Sequence, residues 1–304
     1  MYRDYYVSVL KWLTHEKIIR FCRREIRFRA PGDIMVLRGD AKEALPSAFY
    51  SSLRERYYLI GDIAVVSLSP NREAFKEIIA GAIISRRRSV KTVLNKRSKI
   101  EGEDRVAEFE LITGSCTETE HREFGFRYLL DVTKVFFSPS LGSERHRVAA
   151  LVHEGEHVLI PFCGAGPFVI PVAAAGSFVT AIEQNPVACY YLLHNARLNS
   201  VDHMVTLLPG DAGTILETLM SEFDRAVVPA PYGMDDILDT VKPCVKDGGM
   251  IHFYTFKKKE QIEPLCEKYE KEGLKIQRIH KCGNVAPGVN RWVFDFIKNG
   301  RFNE

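Results

Sequence analysis

The sequence lacks the cysteine spacing of a zinc site or of a disulfide-stabilised domain. Its seven cysteines are scattered, odd in number and without a Cys-x-x-Cys pair. Such a set is typical of reduced thiols in an intracellular protein, so we expect no metal site. No apolar run is long enough to cross a membrane, and no signal peptide is recognisable. These absences predict a cytoplasmic protein without a membrane partner.

A strong excess of one charge and low-complexity segments are also missing. The 304 residues carry a net charge of +3 and are 46% hydrophobic, which excludes a disordered chain. This mild basic excess does not identify a polyanionic partner by itself. The length predicts about two domains.

What the sequence does contain, from residue 158 onward, is a regular alternation of apolar strands and helical patterns. The alternation predicts an α/β fold with a parallel sheet covered by helices on both faces. We predict helices at residues 167–175, 186–199, 213–221, 233–245 and 260–272, and strands at 158–162, 178–183, 204–208, 224–228, 249–256, 274–279 and 289–297. The last two strands have no helix between them, which indicates an antiparallel hairpin that closes the sheet. This seven-stranded order resembles the Rossmann-like architecture of class I methyltransferases.

The first 130 residues are predicted to form two smaller parts. Residues 1–55 are a basic, aromatic segment that is either a nucleic-acid-binding element or a solvated amphipathic face. Residues 56–130 are expected to form a small α+β domain, and residues 131–304 the catalytic domain. Within these parts the sequence predicts helices at 71–85 and 142–152, and strands at 57–68, 108–112, 126–132 and 135–137.

A basic run at residues 86–99 alternates cations with apolar residues. A solvated charged face explains such a run equally well as contacts to RNA phosphates. If it contacts RNA, the candidate substrate-binding residues in it are Lys91, Lys96 and Arg97.

The turn between the first two predicted strands of the sheet has the pattern Gly-x-Gly, at Gly164 and Gly166. The third glycine of a dinucleotide fingerprint is replaced by Val169, so a nucleoside such as S-adenosylmethionine fits better than a pyrophosphate. Glu183 ends the next strand, where a carboxylate can accept hydrogen bonds from a ribose diol. The candidate cofactor-binding residues are Phe162, Cys163, Gly164, Gly166, Phe168, Glu183, Gln184, Asn185, Asp211, Ala212 and Pro229.

Two further positions belong to the same predicted edge of the sheet. Asp211 could accept a hydrogen bond from an adenine amino group, or it could cap the following helix. The loop Pro-Ala-Pro-Tyr at residues 229–232 follows a strand where many amino-methylating enzymes carry an Asn or Asp before prolines and an aromatic ring. Pro231 and Tyr232 are candidate substrate-binding residues, and Tyr232 either stacks on a base or packs within its loop.

Together these motifs resemble the archaeal and eukaryotic tRNA methyltransferases that modify N1 of guanine-37. The same family includes the wybutosine-pathway enzymes that transfer an aminocarboxypropyl group from S-adenosylmethionine. The resemblance covers about residues 57–297 and is carried by residues 60–64, 90–94, 102–106, 117–123, 130–139, 144–145, 164–168, 185–186, 195–199 and 286–287.

The resemblance implies roles for three catalytic residues, and it implies tRNA as the partner. Glu144 matches a proposed general base for the guanine N1 proton, whereas its alternative role is a surface ion pair with Arg147 or Arg145. Arg105 matches an arginine that stabilises negative charge on guanine O6, or it is an ordinary strand-edge cation. Arg145 matches a tRNA or active-site contact. A monomer is the default expectation.

Four departures from the family pattern leave the reaction open. Proline replaces an acid at Pro161 and an amide at Pro229, Ser140 replaces an arginine, and Phe136 replaces a tyrosine. The leading hypothesis is N1-methylation of guanine-37. Aminocarboxypropyl transfer and a non-catalytic tRNA-binding homologue are the alternatives.

Overall fold

The computed structural model describes residues 57–97, 107–219 and 222–299. The contacts divide these residues into two compact units, one with residues 57–97 and 109–116 and the other with residues 107–108 and 117–299. The basic segment at residues 1–55 and the candidate Arg105 lie outside the described residues.

The first unit is a four-stranded sheet with one α-helix. Its strands are β1 (Tyr57–Ile60), β2 (Ile63–Val66), β3 (Thr92–Lys96) and β4 (Phe109–Thr113), in that spatial order. Helix α1 (Lys76–Arg86) connects the parallel strands β2 and β3, and its buried residues pack on the sheet. The predicted strands and helix of this region are confirmed.

The second unit begins with a hairpin of β5 (Glu118–Glu123) and β6 (Phe126–Asp131). The turn residues Phe124 and Gly125 have φ angles of 48° and 87°, as a two-residue turn with both central residues left-handed requires. Strand β5 was not predicted, because its residues Glu-Thr-Glu-His-Arg-Glu have little intrinsic strand preference and pairing with β6 decides their conformation.

The predicted short strand at residues 135–137 is wrong, because the chain turns there. Asp131 Oδ1 accepts hydrogen bonds from the backbone nitrogen and the hydroxyl of Thr133, and Val135 N donates to the Asp131 carbonyl. A short polar side chain that bonds to the backbone two residues ahead is typical of a turn. Helix α2 (Gly142–Ala149) follows and is shorter than predicted.

The remaining strands form a seven-stranded sheet. Strand and helix alternate through β7 (His157–Pro161), α3 (Val169–Ala174), β8 (Phe178–Glu183), α4 (Pro186–Leu198), β9 (Val205–Pro209), α5 (Ala212–Thr218), β10 (Phe223–Val228), α6 (Ile237–Val241), β11 (Val245–Lys257), α7 (Ile262–Lys271), β12 (Leu274–Ala286) and β13 (Val289–Lys298). The α/β alternation expected from the sequence is therefore confirmed, with boundaries shifted by a few residues and α6 shorter than expected.

The strand order of this sheet is β12-β13-β11-β10-β7-β8-β9. Strands β7 to β11 pair in parallel, whereas β13 runs antiparallel to both β11 and β12. This confirms the predicted closing hairpin. The chain moves outward from β7 to β9 and then returns to β10, so the strand order reverses between β7 and β10. In an open α/β sheet, ligands bind at the carboxyl edge beside such a reversal.

The central strands of the sheet are buried on both faces. Leu159, Ala226, Val228, Ile251 and Phe253 have no exposed surface and belong to one hydrophobic cluster with α5 and α6. Among the described residues, no helix is long and apolar enough to cross a membrane.

Candidate active site

The turn after β7 is built from left-handed backbone conformations. Phe162, Gly164 and Gly166 have φ angles of 55°, 57° and 87°. A non-glycine residue such as Phe162 seldom adopts a positive φ, and residues held in that region cluster at ligand sites. The turn therefore has the shape of a ligand cradle at the carboxyl end of β7.

Glu183, the last residue of β8, holds this turn in place. Its Oε2 accepts a hydrogen bond from Gly164 N at 2.8 Å, and its Oε1 accepts one from Asn185 N at 2.8 Å. A carboxylate has about four acceptor positions, so each oxygen retains one for a further donor. The side chain is only partly buried. Glu183 thus fits the predicted acceptor for vicinal hydroxyl groups and also shapes the turn.

The two glycines of the turn serve different purposes. A Cβ on Gly166 would lie 2.5 Å from Leu192 Cδ1 on α4, so this glycine permits close packing of the turn on a helix. A Cβ on Gly164 would meet only the Phe136 carbonyl oxygen, at 3.8 Å. The open space beside Gly164 suits the close approach of a ligand.

This difference predicts that alanine at Gly166 mainly lowers stability, whereas alanine at Gly164 mainly lowers ligand affinity. We expect Gly166→Ala to destabilise the fold by about 1–3 kcal/mol more than Gly164→Ala, because buried Leu192 must move. Gly164→Ala should instead lower the affinity for S-adenosylhomocysteine about tenfold, a loss of about 1.4 kcal/mol. Urea unfolding and calorimetry measure the two quantities. Equal stability losses in the two variants, with no change in affinity, would show that the ligand does not approach Gly164 closely.

The side chains of Asn185 and Asp211 both cap helices. Asn185 Oδ1 accepts from Val187 N and Ala188 N at the start of α4, and its amide nitrogen donates to the Lys134 carbonyl. Asp211 Oδ1 accepts from Thr214 N at 3.0 Å at the start of α5. Asp211 is nevertheless exposed at the carboxyl edge, so the capping role and a ligand contact are compatible there.

The other predicted cofactor residues near the turn differ in exposure. Gln184 is exposed, whereas Cys163, Phe168 and Ala212 are buried. Burial raises the pKa of the Cys163 thiol well above its ordinary value, so this thiol is not a nucleophile. Phe168 packs against the Tyr254 ring at a centroid distance of 5.4 Å. These buried side chains pack beneath the surface of the predicted cofactor site and do not point into solvent.

The structure shows how proline is tolerated at Pro161, where the family pattern has an acid. Pro161 is the last residue of β7 and pairs only with Ile182 of β8, because pairing between β7 and β10 ends at Leu159. Pro161 therefore lies where the ladder toward β10 has already ended. The turn keeps its hydrogen bond from Cys163 N to the Ile182 carbonyl at 3.2 Å.

The loop after β10 presents an aromatic side chain at the same edge. Pro229 and Pro231 are partly buried, whereas Tyr232 is 69% exposed. The Tyr232 ring lies 5.6 Å from the ring of Phe256 on β11, at an angle of 50°. Of the two predicted roles for Tyr232, this exposure is compatible with stacking on a base.

Glu144, near the start of α2, is buried and bonded to three donors. Arg147 donates to both oxygens of the carboxylate, Tyr254 O–H donates to Oε1 at 2.8 Å, and His280 Nε2 lies 3.0 Å from Oε2. Burial alone would raise the pKa of Glu144, but these hydrogen bonds outweigh it and hold the pKa below its ordinary value. Glu144 is thus an ionised carboxylate fixed in one orientation.

The ion pairs continue from Glu144 across the sheet. Arg147 also donates to Asp295 Oδ2 at 2.7 Å, and Asp295 Oδ1 lies 2.6 Å from His252 Nδ1. Arg225 NH1 lies 2.8 Å from His252 Nε2, and its Nε donates to Glu156. Because Arg225 can only donate, His252 Nε2 accepts and Nδ1 carries the ring proton. The network fixes α2, and therefore Glu144, on the sheet.

This network was not predicted from the sequence, although the sequence contains a signal for it. His252 and Asp295 each lie in an otherwise apolar strand, between Ile251 and Phe253 and between Phe294 and Phe296. A charged residue inside a buried strand requires a partner. Only the fold shows which partner it has, since Asp295 and Arg147 are 148 positions apart.

The network predicts that acid destabilises the protein. Burial alone would raise the pKa of Asp295, but hydrogen bonds from His252 and Arg147 lower it from 3.8 to about 2. Because the folded-state pKa is the lower one, this stabilisation is complete above pH 3.8 and disappears as the pH falls toward 2. We expect a loss of about 2 kcal/mol across that interval, measured by urea unfolding. The free energy of unfolding should fall less steeply with decreasing pH in Asp295→Asn. It should fall as in the wild type in Asp202→Asn, an exposed control. An equal pH dependence in all three proteins would contradict this prediction.

Arg145, predicted as a catalytic or tRNA contact, is 2% exposed. Its Nε donates to Glu123 Oε1 at 2.8 Å, its NH2 donates to Glu123 and to the Ser138 carbonyl, and its guanidinium lies 5.0 Å from the Phe137 ring centroid. In this position it joins α2 to β5, next to Glu144 in sequence but not bonded to it. The structure therefore pairs Glu144 with Arg147, one of the two surface partners considered above.

The predicted phosphate contacts Lys91, Lys96 and Arg97 belong to the first unit. Lys91 is exposed and pairs with Asp62 at 2.9 Å. Arg97 bonds to Glu110 at 2.6 Å and to Glu73. Burial lowers the pKa of Lys96. Lys91 is the most exposed of these three cations and the most accessible to a polyanion.

Comparison with known proteins decides the family. Residues 119–279 match the TRM5/TYW2 methyltransferase domain, and residues 37–117 match the TYW2 N-terminal domain. The chain belongs to the TRM5/TYW2 family. The resemblance read from the sequence motifs is thereby confirmed, and the seven-stranded sheet is the class I methyltransferase sheet of this family.

Relatives within the TRM5/TYW2 family carry the names of different activities. The chain is 36% identical to the tRNA (guanine(37)-N(1))-methyltransferase Trm5b of Pyrococcus abyssi, over 83% of this chain and 77% of the relative. It is 31% identical to a tRNA(Phe) (4-demethylwyosine(37)-C(7)) aminocarboxypropyltransferase of Methanocaldococcus jannaschii, over 79% of this chain and 96% of the relative. Both branches of the TRM5/TYW2 family are therefore similar to this chain.

Two solved structures of the TRM5/TYW2 family illustrate its ligands. The complex of aTrm5 with tRNALeu is 27% identical, with a TM-score of 0.74, and the match covers 90% of this chain and 80% of that one. Pyrococcus horikoshii TYW2 in complex with MeSAdo is 28% identical, with a TM-score of 0.70, and covers 85% and 96% of the two chains.

Proposed function

We propose that this protein is an S-adenosylmethionine-dependent enzyme that modifies the nucleoside at position 37 of tRNA, and that it methylates N1 of guanine. The observation that carries the proposal is the left-handed turn at residues 162–166, held by Glu183 beside the reversal of strand order. This turn occurs in a chain of the TRM5/TYW2 family, whose relatives act on position 37 of tRNA.

The residues at the turn fit S-adenosylmethionine. Glu183 keeps free acceptor positions for two ribose hydroxyl groups, and Gly164 leaves open space beside it. Asp211 is exposed further along the same edge, after β9, where it can accept from an adenine amino group. When bound, the cofactor supplies an electrophilic carbon on its sulfonium centre.

Glu144 is the proposed proton acceptor. If bound S-adenosylmethionine transfers its methyl group to guanine N1, the Glu144 carboxylate would take the proton that N1 loses. The lowered pKa of Glu144 keeps the carboxylate ionised at neutral pH, although it also makes Glu144 a weaker base. Its three donors fix the orientation of the carboxylate, which favours proton transfer in a positioned complex.

Aminocarboxypropyl transfer is the second candidate. Two observations favour it: residues 37–117 match the TYW2 N-terminal domain, and proline replaces the loop amide at Pro229. In this reaction the side-chain methylene of the cofactor, and not its methyl group, becomes bonded to the nucleoside.

Transfer assays with differently labelled cofactor separate the two candidates. Purified protein is incubated with a tRNA transcript carrying guanine-37 and with S-adenosylmethionine labelled in either the methyl or the carboxyl group. The proposal predicts that only methyl label enters the RNA and that replacing guanine-37 with adenine abolishes incorporation. Carboxyl label in a tRNA that carries the wybutosine precursor would favour the second candidate. No incorporation into either RNA would contradict both and favour the non-catalytic homologue.

A further inference from the structure

Arg291 on β13 is a half-buried cation without an anionic partner. It lies opposite Phe256 of β11, and its guanidinium carbon is 4.9 Å from the Phe256 ring centroid. Within the part of the chain that the structure describes, no residue forms a hydrogen bond or ion pair with the side chain of Arg291. By contrast, Arg145, Arg147 and Arg225 each bond to a carboxylate.

Leaving this charge unpaired is unfavourable. Burial lowers the pKa of Arg291, which shows that its surroundings disfavour the charged form. Two groups able to become anionic act on the pKa of Arg291, Cys282 and Tyr254, and burial raises the pKa of both, to about 12 for Cys282. Neither carries charge at neutral pH. A half-buried guanidinium that bonds to no carboxylate of the described residues is suited to hold an anion, and we infer that a ligand supplies that anion.

The position of Arg291 indicates which ligand this is. Phe256, on which it stacks, also contacts the ring of the exposed Tyr232 in the loop after β10. We call Tyr232, Phe256 and Arg291 the aromatic–guanidinium surface. Two residues before Phe256 on the same strand, and hence on the same sheet face, Tyr254 bonds to Glu144. The surface therefore lies beside the proposed proton acceptor.

The cofactor is not favoured as the source of the anion. The turn that holds it follows β7, and β10 and β11 lie between β7 and β13. At the usual strand spacing this separation is about 14 Å. An RNA nucleotide whose base stacks on Tyr232 brings a phosphate to the same surface, and a planar guanidinium matches phosphate oxygens in two-point hydrogen bonding.

We propose that Arg291 binds a phosphate of the target nucleotide while Tyr232 stacks on its base, so that the aromatic–guanidinium surface positions the nucleotide beside Glu144. The inference rests on the proposed function, since it takes tRNA as the substrate. It adds to that function a positioning residue that the sequence motifs did not reveal.

Arg291→Met tests the proposal against a control with the same charge change. Lys275→Met is the control, because Lys275 is exposed at the start of β12. Strand β12 runs parallel to β11, so Lys275 lies at the opposite edge of the sheet. Dissociation constants for a tRNA transcript are measured at several KCl concentrations, and S-adenosylhomocysteine binding is measured by calorimetry.

We expect Arg291→Met to weaken tRNA binding about tenfold and to reduce the slope of log affinity against log salt by about 0.7–0.9, the value for one phosphate. S-adenosylhomocysteine affinity and the response of Lys275→Met should match the wild type. Removal of an unpaired half-buried charge should not lower the unfolding temperature. If the methionine variant does not fold, Arg291→Lys replaces it, and its affinity should fall without a change in slope because the charge remains.

Three results would overturn the proposal: an unchanged salt slope and affinity in Arg291→Met, an affinity loss without a change in slope in that variant, or a loss of S-adenosylhomocysteine binding in place of tRNA binding. Failure of the proposed function gives a different result. In that case the wild-type protein itself binds no cofactor or transfers no label to tRNA, whatever residue is at position 291.

Discussion

Glu144→Gln should lower the rate of transfer to tRNA by about 10²–10⁴, the range typical of a lost general base. The substitution keeps the volume of the side chain and one acceptor oxygen for Arg147 and Tyr254, but it removes the charge that takes the N1 proton. Binding of tRNA and of S-adenosylhomocysteine should stay within about threefold of the wild type, because neither contact depends on that proton. Single-turnover kinetics and filter binding measure the two effects separately.

The control for this experiment is Glu120→Gln. Glu120 is also a carboxylate bonded to arginines, Arg122 and Arg127, and these bonds lower its pKa to about 2. It lies on β5 and has no part in the proposed chemistry, so its variant should transfer at the wild-type rate. If Glu144→Gln also turns over normally, Glu144 is a structural member of the ion-pair network and not the proton acceptor.

Glu183→Ala should lower the affinity for S-adenosylhomocysteine about 100-fold, or about 2.7 kcal/mol. The carboxylate supports the site in two ways, since it accepts from Gly164 N and Asn185 N and keeps acceptor positions for the ribose. Hydrogen bonds to a charged group contribute about 1.5–3 kcal/mol each, so the loss of the ribose contacts alone accounts for this effect. Calorimetric titration measures it directly.

A conservative variant of Glu183 and a control at another acid accompany this experiment. Glu183→Gln keeps one acceptor oxygen and should lose less affinity than the alanine variant. Glu217→Ala, an exposed acid on α5, should bind S-adenosylhomocysteine like the wild type. The loss of even one charged hydrogen bond to the ribose should lower the affinity more than threefold. An affinity for Glu183→Ala within about threefold of the wild type would therefore show that the nucleoside binds elsewhere.

The sheet could be predicted from the sequence because its strands are apolar runs separated by glycine turns and helical patterns. Strand β8 was predicted at its observed boundaries. Strand β5 was missed because its residues alternate charges without apolar periodicity, and pairing with β6 stabilises the extended form. Residues 135–137 were misassigned because three apolar residues outweighed the turn-forming Asp131.

The candidate site was predictable where a motif is local in sequence, as at Gly164, Gly166 and Glu183. It was not predictable where residues distant in sequence meet on one sheet face. Tyr254 and His280 both bond to Glu144 across strands β11 and β12, and Arg291 stacks on Phe256. No short motif joins these positions, so their proximity depends on the order and register of the strands.

The measurement that tests the account most directly is calorimetric titration of the purified protein with S-adenosylhomocysteine. Proline at Pro161 and at Pro229 departs from the family pattern at the end of β7 and in the loop after β10, yet the turn at residues 162–166 and Glu183 keep their hydrogen bonds. The account predicts binding at micromolar strength with one site per chain. No detectable binding would contradict it, and the function of the protein would then have to lie in RNA binding without transfer.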